Sequence, residues 1–400
     1  MKKEKLIVGA LCLSVLLSSL TVQGAEEASS AEATSKGAAA QEGTDLASMK
    51  WSDYAISING NVLTFPTTFD ALAPLGLEND DDPAATDIEP NQYGNLYFKL
   101  GKGRISVEFT NLDINVLPAD QVVVTGISLD DSFLKDEPVV VELPGGIKYG
   151  ESTLEDIENA YGKASDVYEG ELYTQLTYEQ DIYQSVELSV DKETGKLNAI
   201  DIENIKEPEG MEKGEVNTDV PEAVAAYTLP DKLSDDLNAY EIEVEGTAYK
   251  LPVPVSVMIE DGWEVVADDT EEVIAAQNSG WVTLSKNNQT IRDLVRNHEN
   301  YATIPENCWL GCITLGINEA DLEGSMPGGI HVGMTAEEFE KILTDNGVEF
   351  EKDDSSDSYV YYNYGEAYDQ THEAVVYSGE DDYYPKDTII KISVENTEIE

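Results

Sequence analysis

The chain has 400 residues with 24 Lys and Arg against 80 Asp and Glu, a formal net charge of −56, yet 41% of it is hydrophobic. That surplus of negative charge excludes nucleic-acid binding, which rests on Lys and Arg neutralising phosphates, and anionic lipid surfaces repel the chain in the same way. The 21 Tyr, 7 Phe and 4 Trp exclude a wholly disordered acidic chain, and the length predicts two or three domains.

In chain order, the first segment predicts export. Lys2, Lys3 and Lys5 precede the uncharged run Leu6 to Leu20, and Val22-Gln23-Gly24 offers a cleavage site, so residues 1–24 are expected to be a signal peptide. The run is short for a membrane span, and no span is expected after cleavage; an uncleaved leader would leave an anchor. Lipidation at Cys12 is not expected, because Leu11 precedes it and the apolar run continues beyond. Residues 25–47, rich in Ala, Ser, Glu, Gly and Thr, cannot bury enough area to offset ordering entropy and read as a disordered tether. The mature protein is expected to be secreted or extracellular, or held at the cell surface.

An internal duplication organises the remainder. An offset of 186 aligns Tyr54 to Leu129 with Tyr240 to Leu315 without a gap, and 13 of the 76 positions are identical. Chance gives about one match in sixteen for ordinary composition. Pro144-Gly145-Gly146-Ile147 then matches Pro327-Gly328-Gly329-Ile330, and Ile200-x-Ile202-Glu203-Asn204 matches Ile392-x-Val394-Glu395-Asn396. The reading is a first repeat over 48–205, a charged, Pro-containing linker over 206–230 and a second repeat over 231–400.

Each copy opens with a strand pair turning at Asn59-Gly60 or Glu245-Gly246, then a short helix from about Thr68 to Leu75 or Pro254 to Asp261. Strands follow at Leu96 to Leu100, Ile105 to Phe109 and Val122 to Leu129. Beyond the Pro-Gly-Gly turn, Thr153 to Tyr161 and Thr335 to Asn346 carry N-cap hydroxyls, early acids and apolar residues at helical spacing. A three-strand meander closes the copy, at Leu172 to Tyr178, Val186 to Val190 and Leu197 to Ile202. Antiparallel strands with two short helices per copy predict an α+β fold.

The segment Gly329-Ile330-His331-Val332-Gly333-Met334-Thr335-Ala336-Glu337-Glu338-Phe339 resembles the repeat unit of the β-lactamase inhibitor protein and of small outer-membrane assembly lipoproteins. The first copy departs from it with Gly150-Glu151-Ser152-Thr153, and the resemblance spans only the end of each copy. It implies a non-enzymatic envelope or secreted protein that binds other proteins on a concave sheet; no binding residue of the family carries over to a numbered position here.

Catalytic motifs are not visible. His298, His331 and His372 stand in none of the spacings zinc favours, there is no Gly-x-Ser-x-Gly, phosphate loop or dinucleotide fingerprint, and His331 is expected to face solvent. No catalytic residue and no cofactor is assigned. Acid runs at Asp80-Asp81-Asp82, Asp353-Asp354-x-x-Asp357 and Glu380-Asp381-Asp382 read as solvated loops, with weak Ca²⁺ binding as the alternative. Cys308 and Cys312, four apart in a β-like run, are about 13 Å apart if extended, too far for a disulfide. They read as reduced core cysteines, although a bulge at Gly311 would bring them closer.

The run Tyr359-Val360-Tyr361-Tyr362-Asn363-Tyr364 supplies the candidate partner-binding residues. Alternation turns Tyr362 and Tyr364 inward and leaves Tyr359 and Tyr361 outward, with Tyr383 and Tyr384 in a nearby loop. The first reading is a non-enzymatic binding or structural module for a protein or surface polymer. The alternatives are a secreted carbohydrate-active hydrolase using paired carboxylates and an acidic calcium-binding surface protein. Self-repulsion among the acids predicts that the melting temperature rises with added NaCl; a melting temperature independent of ionic strength contradicts this.

Overall fold

A computed structural model describes residues 46–399 apart from 81, 135–136, 288, 317–321, 368–369 and 381–383. The expected signal peptide, Cys12 and nearly all of the tether lie outside the described residues. The chain forms two compact units, one ending at Gly214 and the other running from Glu215 to Glu400.

In the first unit the strands Ala55–Ile58 and Asn61–Thr64 pair across Asn59 and Gly60. Both turn residues take positive φ, 52° and 86°, the geometry that matches a hairpin turn to strand twist. This hairpin joins Val141–Leu143 and Ile147–Lys148 in a four-stranded sheet. The larger sheet has eight antiparallel strands in the order Asp166–Glu169, Tyr173–Asp181, Gln184–Asp191, Leu197–Asn204, Val123–Asp130, Gly103–Thr110, Tyr93–Leu100 and Glu78–Asn79. Period-two patterning builds it. Leu96, Phe98 and Leu100, then Ile105, Val107 and Phe109, then Val186, Leu188 and Val190 all turn to one buried face, leaving the alternate residues on the other. The helix Leu154–Tyr161 starts at a reciprocal cap, Thr153 with Asp156, and buries Ile157 in the same core.

The second unit opens with the corresponding hairpin, Glu241–Val244 and Thr247–Lys250, turning at Glu245 and Gly246 with φ 52° and 85°. Its longer strands form two five-stranded sheets rather than one. The break falls at Gly311, between Trp309–Leu310 and Cys312–Gly316. In the first unit the aligned strand Val123–Asp130 passes this point unbroken, with only a register shift. The ladder of Gln289–Arg296 ends near Asp293, which occupies the position of buried Val107 and whose carboxylate accepts from the Leu294 N–H at 2.7 Å. A carboxylate that bonds its own strand competes with regular pairing. The closing strands Tyr359–Ala367, Gln370–Tyr377 and Thr388–Asn396 form the meander, beneath the helix Ala336–Asp345 with its Thr335 and Glu338 capping pair.

The α+β expectation is corrected: the chain is mostly β, with 43% strand and 18% helix. The segment from Thr68 to Leu75 is 3-10 helix, Phe69–Leu75 with Pro74 inside, where the ring removes a donor and blocks a regular α-turn. Its counterpart is the short helix Val255–Glu260. Val, Ile, Thr and Tyr suit the pleated surface, and strands take more than twice as much of the chain as helices do.

Buried carboxamides fasten both units at aligned positions. Asn111 donates to the Ile88 and Asn115 carbonyls at 2.7 and 2.8 Å and accepts from Asp113 N. Asn297 donates to the Ile274, Ala275 and Tyr301 carbonyls and accepts from Glu299 N. Asn204 donates to Phe65 O at 2.6 Å, and Asn396 to Leu251 O at 2.8 Å. The unit boundary lies inside the expected linker, which is tied down on either side of it: Gly214 N–H donates to Asp113 Oδ2 in the first unit, and Asn217 N–H donates to Ala302 O in the second.

Replacing a buried carboxamide strands the carbonyls it serves. Asn297→Ala is expected to destabilise the second unit by roughly 2–4 kcal/mol in urea unfolding; a change under about 0.5 kcal/mol would show that the carbonyls find other partners.

Candidate functional site

The outer face of the second unit's closing meander gathers the tyrosines. Val375, Tyr377 and Ile390, only 3%, 2% and 4% exposed, form a cluster separate from the main core, and half-buried Tyr359, Tyr361 and Tyr384 pack over it. Tyr359 stands directly across from Tyr377, ring centroids 5.9 Å apart and edge to face, and Tyr361 across from Val375. Tyr384 meets Tyr377 edge to face at 5.5 Å. On the opposite face Tyr362 and Tyr364 are buried in the core, as strand alternation requires. Tyr383 lies outside the described residues. Three of the four candidate tyrosines therefore meet, joined by Tyr377 and Ile390, which sequence reasoning missed. Their signal was weak: each lies in an apolar run, where alternation does not show which neighbour turns outward.

The aligned positions in the first unit are Tyr173, Gln175, Ser189, Asp191 and Asn198, so the same face is more polar there, with Tyr173 the one aromatic ring retained. Next to it lies a row of carboxylates. Glu187 pairs in register with Asp201, Asp201 with Ser128, and both Glu203 and Glu108 with Gly126. Gly126 has no side chain to separate the two glutamates; a Cβ there would stand 2.5 Å from Ile202 O and 3.4 Å from Glu108 Cβ. Thr125 donates to Glu108 Oε1 at 2.8 Å, and Gln175 to Glu187 Oε2 at 2.8 Å. Among the described residues no ion pair reaches these four acids. Burial pushes Glu108 up to about 7, with Glu203 and Asp201 adding repulsion, and Asp201 up to about 6; Glu203 is raised by burial and by its neighbours Asp201 and Glu187. In the second unit Lys391 Nζ meets the aligned Glu373 at 2.5 Å.

The other sequence candidates are dispersed. His372 is buried, its ring stacked on Tyr364 at 4.5 Å and on Tyr240 at 5.1 Å, with Nε2 3.0 Å from Ala239 O. Burial lowers its pKa, and it acts as a core residue. His331 is exposed, and burial lowers the pKa of half-buried His298. Asp80 is held by Lys99 at 2.6 Å and Arg104 at 2.5 Å, Asp82 accepts from Ala84 N, and Asp353 accepts from Ser355 N. Asp81, Asp381 and Asp382 lie outside the described residues. Among the described residues no group of three or more His, Cys, Asp or Glu is arranged to hold a metal ion. Cys308 and Cys312 are separate thiols, both pushed up to about 12 by burial, a state that disfavours the reactive thiolate. Among the described residues no helix is long and apolar enough to cross a membrane.

No protein-family model matches the chain, and no curated protein or solved structure is similar to it at the significance required of a match.

The acid row has a definite pH signature. Half-buried Glu108 and Glu203 bind protons more tightly folded than unfolded, so their contribution to stability is full below the ordinary carboxylate range near 4.5 and is lost as pH rises, for Glu108 through about 7. Glu108→Gln keeps the acceptor for Thr125 and removes the charge. It is expected to stabilise the first unit at pH 8 by an amount of order 1–3 kcal/mol and to flatten the pH dependence of amide exchange between pH 5 and 8. Equal protection in the variant and the parent chain at pH 8 would contradict this.

Proposed function

We propose that this chain is an exported, non-enzymatic binding or structural module of two duplicated units, and that it recognises a protein or a cell-surface polymer through the outer face of a sheet. The observation that carries the reading is the cluster Tyr359, Tyr361, Tyr377 and Tyr384 on the face opposite the second unit's core. Tyr377 is buried within the cluster, and Tyr359, Tyr361 and Tyr384 over it keep part of their rings at the surface. Tyr offers large, rigid, amphipathic contact area at low entropic cost, the property recognition surfaces use. The resemblance at the end of each copy points the same way.

The contrast between the units supports it further. Aligned positions keep the same turns, caps and buried carboxamides, whereas the outer face holds Tyr359, Tyr361 and Tyr377 in one unit and Tyr173, Gln175 and Asp191 in the other. Duplicated scaffolds with different faces suit a protein that engages a surface at more than one point. A hydrolase would need a protonated acid and an ionised partner on either side of a cleft. The carboxyls that burial raises lie instead on a sheet face. A shallow depression beside the helix Leu154–Tyr161 is lined by Lys148, Glu151, Ser152 and Asp156 and holds none of them.

The test is binding of the intact chain and of a Tyr359→Ala, Tyr361→Ala double variant to a panel of glycans and isolated cell-surface fractions. The expected outcome is a loss of at least about tenfold in affinity for the fraction the parent chain binds, with an unchanged melting temperature. Equal binding by the two proteins would remove the tyrosine face from the reading.

A further inference from the structure

The first unit's eight-stranded sheet ends in an open edge, the strand Asp166–Glu169. It pairs with Tyr173–Asp181 on one side through Thr174 to Thr177, and it is the terminal strand on the other. All four of its residues are exposed; Val167 is 47% and Tyr168 54% exposed, and Leu172 beside them 75%. A terminal strand presents a row of unpaired N–H and C=O groups, a template for another strand unless something blunts it. The corresponding edge strand of the second unit's closing sheet, Glu351–Asp353, is blunted: Lys352 reaches back to Glu340 at 2.7 Å and lies over the Tyr362 ring at 5.1 Å. Asp166–Glu169 has no Lys or Pro of its own; Lys192 holds the Glu169 carboxylate at 2.9 Å at one end of the strand, and Asp166, Val167 and Tyr168 stay exposed.

From this edge and its charge we infer that the first unit takes up an extended basic peptide segment as a ninth strand. Register defines what the segment looks like. Tyr168 lies opposite Gln175 and Asp166 opposite Thr177, on the face that also carries Glu187. Val167 lies opposite buried Leu176, on the core side, where it has no cover of its own. An added strand therefore sets alternate residues against two different surfaces. On one side Lys or Arg meets the Asp166 carboxylate and the face of the Tyr168 ring, which Tyr173 braces at 5.8 Å; on the other, an apolar residue covers Val167. The ladder bonds supply affinity and the alternation supplies specificity. Charge selects the basic partner over a second copy of the chain, because pairing two such edges would bring Asp166 of one chain towards that of another, in molecules that each carry a formal charge of −56, whereas Glu169 is already held by Lys192. This surface belongs to a different unit from the tyrosine face, and its assignment does not depend on that face.

The probe is a ten-residue peptide alternating Val and Lys, titrated into the intact chain at physiological ionic strength, with amide exchange as the site readout. A control peptide of identical sequence carries N-methyl groups on alternate backbone nitrogens, which keeps the charge and removes ladder donors. The expected result is protection of the Asp166–Glu169 amides, binding weakened at least about tenfold by N-methylation, and a similar loss in Val167→Lys, whose exposed site leaves the melting temperature unchanged. Equal binding of the two peptides would reduce the interaction to charge attraction and overturn strand addition. Protection elsewhere, unaltered binding by Val167→Lys, or no binding of the Val-Lys peptide at millimolar concentration would overturn it as well.

Discussion

Strand alternation is the constraint on which the molecule turns. The long strands that send Leu, Ile, Val or Phe into the core send their intervening residues to the opposite face of the sheet. In the first unit that face carries Glu108, Glu187, Asp201 and Glu203; in the second it carries Tyr359, Tyr361, Tyr377 and Lys391. The inward residues are tied to packing density, where a lost methylene is felt. The outward ones are free of that demand, so they can differ between units without loss of the fold.

The devices that hold the sheets in place are polar and local. A positive-φ hairpin at Asn59-Gly60 or Glu245-Gly246 and a reciprocal cap at Thr153 or Thr335 fix the chain locally at the surface, and a carboxamide at Asn204 or Asn396 satisfies a backbone carbonyl that would otherwise be buried alone. Leaving such groups unpaired costs more than pairing them gains. The second unit departs from the first at Asp293 and Gly311, where one continuous sheet becomes two. A single acid at a core-facing position, bonded to the next residue's N–H, goes with the loss of a ladder that Val107 maintains in the other unit.

Much of the local structure was readable because its causes are local. Asn59-Gly60, the Thr-x-x-acid caps and the alternation of Tyr362 and Tyr364 all sit within a few residues of the structure they produce. The fold class was misjudged at Phe69–Leu75, where Pro74 turns an expected helix into 3-10 turns, and where two-turn helices were given too much weight against long strands. The acid row was hidden for a different reason. With 80 carboxylates in the sequence, nothing local marks Glu108 as the one that lies over Gly126 near Glu203, 95 positions further along the chain. The tyrosine patch was half readable: Tyr359 and Tyr361 follow from alternation, while Tyr377 and Ile390 join them only through strand register.

The most direct test of the claim that the outer face of the second unit does the recognising is hydroxyl-radical footprinting of the intact chain with and without the cell-surface fraction it binds. The account predicts that Tyr359, Tyr361 and Tyr384 are oxidised in the free chain and protected in the bound one, while exposed Tyr97 in the first unit reacts equally in both. Unchanged oxidation of Tyr359 and Tyr361 on binding, with protection at some other surface, would contradict it.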